Sequence, residues 1–210
     1  MHAAPRLRGG RVARSVWLLA GLLLCAFGIL AFLESRLGLP PWDVLHQGIA
    51  RHTALSFGVA NEVVGVIVLF VAWGLGAQPG IGTVANAVLI GGFVALLEPL
   101  GAVESLSRWP LAARAALLVV GLACFGAGTG LYIGAGMGAG PRDSLMLVGA
   151  RRTGVRIGLV RAAIEGSVLV AGFALGGTVG VGTLVFAVLI GPSVEASFWL
   201  VGRTGLGRFP

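Results

Sequence analysis

The sequence predicts an all-α membrane protein with six transmembrane helices arranged as two inverted three-helix repeats. Each repeat also carries a short re-entrant or interfacial helix. Three observations carry this. The 210 residues are 57% hydrophobic and only 11% charged, and the mean hydropathy of +0.96 lies far from the soluble globular range. Six apolar stretches, near 15–34, 58–76, 80–98, 111–135, 158–176 and 180–201, reach or approach the length that crosses a bilayer. Finally, the chain matches itself when shifted by 100 residues: between 38–92 and 138–192, 20 of 55 positions are identical without a gap. A single register held that long marks a duplicated unit.

The elements follow in order. Residues 1–14 form a basic N-terminal segment with Arg6, Arg8, Arg11 and Arg14. Basic residues before an apolar run resemble a secretory signal. The run Val16–Leu33 is long for a signal core, however, and has a repeat partner at 116–133, so it is expected to stay as the first helix. Repeat 1 spans 15–100 and repeat 2 spans 111–201, together one membrane domain. Cys25 and Cys124 each sit inside an apolar span and are expected to behave as small hydrophobes. The net charge of +7 does not indicate nucleic acid, because the arginines cap apolar spans and do not line one soluble face.

Arginine sets the orientation, because cytoplasmic loops collect positive charge. With the N-terminus inside, eleven arginines fall on inside segments and four (Arg36, Arg51, Arg108, Arg114) outside. Both termini are then cytoplasmic. Three helices per repeat is an odd number, so the second copy enters the membrane in the opposite direction. Segment 38–57 faces out, while its copy 138–157 faces in and carries Arg142, Arg151, Arg152 and Arg156. Inverted repeats give a fold two equivalent states, the basis of alternating access. Four spans per repeat is the competing scheme; the apolar runs within 43–57 and 143–157 are too short for it.

Motifs then mark candidate sites. Gly38, Pro41 and Asp43 recur as Gly138, Pro141 and Asp143. Pro followed by Asp reads as the start of a short helix, with the two Asp side chains expected to cap free N–H groups. In the sharper reading they approach a central cavity from opposite sides and bind a cation or proton. Gly80, Gly82 and Thr83 recur as Gly180, Gly182 and Thr183, expected as a tight helical hairpin with Thr as the cap. Charge within the spans is costly and usually faces a polar interior. On that ground Glu62 beside Asn61, and Glu165 one helical turn after Arg161, are candidate binding residues. Asn86 shares a face with Thr83, while its repeat partner is Phe186. Glycines 126, 130, 134 and 138 form a smooth stripe for helix packing. His46 and His52 lack partners at ligand spacing and read as loop residues. No nucleophile–base pair, metal-ligand set or cofactor fingerprint is present, so neither an enzyme nor a cofactor is expected.

The strings GLPPWDVLHQGIARHT, PGIGTVANAVLIGG, LYIGAGMGAGPRDSLMLVGARRTG and GGTVGVGTLVFAVLIGP resemble the YczE/YyaS/YitT family of bacterial integral membrane proteins, in particular its YczE-like branch. The resemblance runs from about residue 15 to 200. It implies a bacterial cytoplasmic (inner) membrane location and adds no catalytic residues. The residues and the resemblance together lead to a small secondary transporter of a small solute or ion. Its site would lie at the repeat interface, lined by Asp43, Asp143, Asn61, Glu62, Asn86, Arg161 and Glu165. The alternative is a membrane accessory protein that docks a partner through its arginine-rich loop. Lipid is the obligatory partner, and the small size is compatible with a homodimer or a partner membrane protein.

Overall fold

The computed structural model describes residues 6–98, 108–204 and 206–208, and every apolar stretch within them folds as a helix. Residues 1–5 of the basic segment and 99–100 at the end of repeat 1 lie outside the described residues. The order is β1 (Arg6–Leu7), α1 (Arg11–Ser35), α2 (Pro41–His52), α3 (Phe57–Gly74), α4 (Ile81–Leu97), α5 (Leu111–Gly134), α6 (Pro141–Thr153), α7 (Ile157–Ala174), α8 (Val181–Arg203) and β2 (Gly207–Arg208). Each helix of the first half has a counterpart that starts 100 residues later: 11 and 111, 41 and 141, 57 and 157, 81 and 181.

Five helices, α1, α3, α5, α7 and α8, are long and apolar enough to cross a membrane. The sixth expected span falls short: α4 is apolar but has 17 residues, or about 25 Å at helical rise against a hydrocarbon core of about 30 Å. The protein is therefore an all-α, multi-pass membrane protein. Helices α2 and α6, of 12 and 13 residues, are too short to span. Each starts with proline (Pro41, Pro141) at a position where no N–H is required.

The core forms around α1 and α5, which pack antiparallel. An ideal Cβ on Gly21 would stand 2.7 Å from Gly128 O, and one on Gly28 would stand 2.9 Å from Gly121 O. Small residues let the two backbones approach this closely. The ends are tied reciprocally. Arg14 Nε donates to Ala135 O (2.6 Å), and its repeat equivalent Arg114 Nε donates to Ser35 O (2.8 Å). Each arginine thus satisfies free carbonyls at the other helix's C-terminus. The glycine stripe of α5 packs as expected at Gly126 and Gly130, which face Ser193 and Ser197 of α8.

The Gly-x-Gly-Thr motifs differ from expectation. They form the joints between the two halves. Gly82 N donates to Met137 O (2.8 Å) and Gly182 N to Leu37 O (2.7 Å). The incoming glycines, Gly38 and Gly138, have φ of 115° and 129°, a region that favours glycine. An ideal Cβ on Gly38 would lie 2.6 Å from Gly180 N, and one on Gly138 would lie 2.6 Å from Thr83 Oγ1. Thr83 and Thr183 cap from the third helical position and not as the first residue: their hydroxyls accept the N–H of the N-cap residues Gly80 (3.0 Å) and Gly180 (3.2 Å). Helix α2 is tied to the α7–α8 turn as well: Arg51 Nη1 donates to Gly176 O, and Thr178 N donates to Gln47 Oε1 at 2.7 Å.

Strands β1 and β2 pair antiparallel, so both ends of the described chain lie on one face. The halves are not packed alike. Helix α3 lies along α4, whereas their counterparts α7 and α8 stand apart. Gly172 alone is buried among the residues of α7.

Candidate functional site

The first turns of α2 and α6 bring their proline starts to the centre of the bundle. Pro40, Trp42, Gly140, Pro141, Arg142 and Asp143 all line one cavity of ≈ 310 Å³. Ile29 of α1, Ile90 of α4, Phe125 of α5 and Phe186 of α8 supply apolar walls. A second space of ≈ 530 Å³ adjoins it, with Ile133, Asp143, Met146 and Arg161 as common walls, and extends toward Gly136 and Gly158.

The two aspartates do not cap their helices: the first residue before each, Pro40 or Gly140, offers no side-chain cap, and both Asp side chains turn elsewhere. Asp43 and His46 are fully buried. His46 Nδ1 lies 3.0 Å from Asp43 Oδ1, and Asn61 Nδ2 of α3 donates to the same oxygen at 3.5 Å. On the other side of the ring, Arg142 Nη2 faces His46 Nε2 at 3.4 Å. Arg142 can only donate, so a neutral ring has Nε2 as the acceptor and Nδ1–H toward the carboxylate, with the Asn61 amide nitrogen 3.1 Å from the same Nδ1. Burial, opposed by the bond to Asp43, pushes the His46 pKa below its usual value, which agrees with the neutral form. The Arg142 guanidinium stacks 5.0 Å above the Trp42 ring. In the second half, Tyr132 OH donates to Asp143 Oδ2 at 2.7 Å. Asn86 and Asp143 flank Gly140, whose ideal Cβ would stand 3.3 Å from the Asn86 amide and from Asp143 Oδ2.

Asn61, Asn86, Asp143, Arg161 and Glu165 therefore converge on the cavity. Arg161 Nε donates to Glu165 Oε1 at 2.9 Å, as their spacing predicts. Asp43 stands behind the wall and is linked to the cavity through Asn61 and, by way of His46, through Arg142. Glu62 does not join the site; it packs against α4, with its Cβ beside Gly91. Of the motif residues, Pro141 lines the cavity, and Gly38, Gly80, Gly82, Thr83, Gly138, Gly180, Gly182 and Thr183 build the joints around it.

Sequence reasoning missed Trp42, His46, Tyr132 and Arg142. His46 and His52 are helical, not loop residues: His46 follows Asp43 by three and so shares its face, and His52 ends α2 with Nδ1 3.0 Å from Gly48 O. In the sequence Arg142 counts only as loop charge, although it is the repeat equivalent of Trp42 and the two stack on each other. Among the described residues, no three His, Cys, Asp or Glu side chains converge as a metal site.

Residues 12–197 match a family described as a family of unknown function (DUF6198). The chain belongs to this family. It is 35% identical over 182 residues to the uncharacterized membrane protein YczE of Bacillus subtilis, covering 86% of this chain and 83% of that one. An uncharacterized protein of Haemophilus influenzae is 35% identical over 186 residues, 89% of this chain and 84% of its own. The uncharacterized protein YyaS of Bacillus subtilis is 25% identical over 203 residues, 88% and 96% respectively. No solved structure matches.

Proposed function

We propose that the protein is a small secondary transporter, not an enzyme, that moves a small solute across the bacterial cytoplasmic membrane. It works by alternating access between two inverted repeats, 15–100 and 111–201, with both termini cytoplasmic. One observation carries this reading: equivalent glycine pairs in the two halves are packed differently. In the first half α3 closes on α4. An ideal Cβ on Gly58 would lie 2.7 Å from Gly91 O, and one on Gly91 would lie 2.6 Å from Gly58 O. In the second half the equivalent Gly158 and Gly191 each have nothing within 4 Å of an ideal Cβ. The contact at this glycine pair is thus closed in one repeat and open in the other, beside a cavity that reaches Arg161, Glu165 and Gly191. Exchanging the two arrangements would close this opening and create its mirror image on the other face, as inverted repeats permit.

Further support comes from the topology. Paired strands at the two ends fit an even number of crossings with α4 as the short sixth. The arginine count supports a cytoplasmic position for that shared face. The direct test replaces Cys25 and Cys124 with Ala, introduces Asn86→Cys in the cavity, and applies a membrane-impermeant maleimide to oriented vesicles. Labelling from both faces is expected; labelling from one face under every ionic condition would overturn alternating access. A second reading, a protein that docks a partner, draws on Arg151, Arg152 and Arg156, which are all exposed where α6 ends. Under it, Arg151→Gln with Arg152→Gln would abolish the cellular role while cavity substitutions would not.

A further inference from the structure

We propose that the central cavity binds a small zwitterion with an apolar side chain, its carboxylate held by Arg142 and Trp42 and its ammonium by Asp143. This rests on the transporter reading and adds the chemical class of its substrate.

Trp42 supplies the first observation. It is 6% exposed and lines the cavity, yet its Nε1–H has no acceptor among the described residues. A buried donor left unpaired costs about 1–3 kcal/mol, so such groups are normally satisfied. Here the acceptor is expected to arrive with the ligand.

Arg142 supplies the second. Its guanidinium is stacked on the same Trp42 ring and bonds only to His46 Nε2, among the described residues, leaving most of its N–H groups available. The Trp42 ring and the guanidinium therefore share one wall with the starts of α2 and α6. Those helix starts carry free N–H groups and the positive end of the helix dipole, which suit a carboxylate.

Asp143 supplies the opposite charge. It follows Arg142 directly, lines the same cavity, and is not ion-paired with it among the described residues. Tyr132 OH orients one carboxylate oxygen through Oδ2, and the Asn86 amide stands beside it across Gly140. Two unpaired opposite charges on one wall suit a ligand that carries both. By contrast, Arg161 and Glu165 already neutralise each other. Ile29, Ile90, Phe125 and Phe186 give the cavity apolar walls that can hold a hydrocarbon side chain, as small-molecule sites commonly do.

Thermal unfolding of the detergent-purified protein tests this with three matched probes. L-leucine carries both charges, 4-methylpentanoate lacks the ammonium, and 3-methylbutylamine lacks the carboxylate. Leucine is expected to raise the unfolding temperature in a saturable manner, and the two truncated probes are not. Arg142→Gln and Asp143→Asn should each weaken leucine binding about tenfold or more. Trp42→Phe keeps an aromatic ring under Arg142 but removes Nε1–H together with part of the indole, so it should weaken binding without unfolding the protein. Stabilisation by the amine alone, by the acid alone, or by no probe would each overturn the proposal. So would leucine binding unchanged in Trp42→Phe. The vesicle labelling stands apart: accessibility from both faces without leucine binding would keep the transporter and remove this substrate class.

Discussion

Replacing Gly38 with Ala tests the joint between the two halves. Two costs add at this position. With φ of 115°, a side chain is strained by about 1–3 kcal/mol. The new Cβ would also stand 2.6 Å from Gly180 N and 2.9 Å from Thr183 Oγ1. The backbone must then retreat, which weakens the Gly182 N–H to Leu37 O bond, a further loss of about 1 kcal/mol. Together Gly38→Ala should destabilise the protein by about 2–4 kcal/mol, and Gly138→Ala should match it, because Gly138 meets Gly80 and Thr83 in the same way. Two controls divide the sum. Gly154, with φ of 68° and open space around it, reports strain alone, about 1–2 kcal/mol. Gly92, in a helix with nothing within 4 Å, should become more stable by about 0.5–1 kcal/mol as Ala. The assay is reversible unfolding in mixed detergent micelles, read by tryptophan fluorescence and far-UV circular dichroism. If Gly38→Ala and Gly138→Ala lose no more than Gly154→Ala, the joints do not carry the load assigned to them.

Other outcomes follow from the same contacts. Arg14→Gln and Arg114→Gln should each cost about 1–2 kcal/mol, and the double variant should show their sum, since the two arginines tie opposite ends of the α1–α5 pair; coupling by more than about 0.5 kcal/mol would argue against independent ties. Asp43→Asn should destabilise by about 1–3 kcal/mol in the same unfolding assay, because it removes the charged acceptor of buried His46. Stability should fall as pH drops below the usual histidine value of 6.5, since burial keeps folded His46 from taking the proton that the unfolded chain binds; His46→Gln should flatten that slope. Gly158→Cys with Gly191→Cys, in a background lacking Cys25 and Cys124, should form a disulfide on mild oxidation in membranes, although the two positions stand apart in this state. Complete resistance to cross-linking, with a folded protein, would mean that α7 does not close on α8.

Much of the architecture was legible because it is written in periods and counts that need no partner. The apolar lengths, the 100-residue register and the arginine bias come directly from residues, and the helices begin where the repeat places them. The paired charges at Arg161 and Glu165 were legible for the same reason, since one helical turn decides them. Asn61 and Glu62 were not separable in this way. Asn61 points to the site and Glu62 does not, because adjacent residues on a helix face different ways and only packing against α4 fixes which is which.

What the sequence alone determined is the set of helices, their duplication and their membrane setting, because each depends on local composition and spacing. What only the tertiary structure decided is which side chains meet. The aspartates left their expected caps because a buried histidine and a tyrosine from other turns offered stronger partners. Trp42 and Arg142 lie 100 residues apart and became one stacked pair only when the two halves interlocked. The opening between α7 and α8 is not written in the glycines, since Gly158 and Gly191 match the closed pair Gly58 and Gly91, but Glu165 stands where Gly65 packs with its Cβ position 2.9 Å from Ala87 O. Matching glycines can be packed or parted, and the side chains around them together with the global arrangement of the helices select between the two.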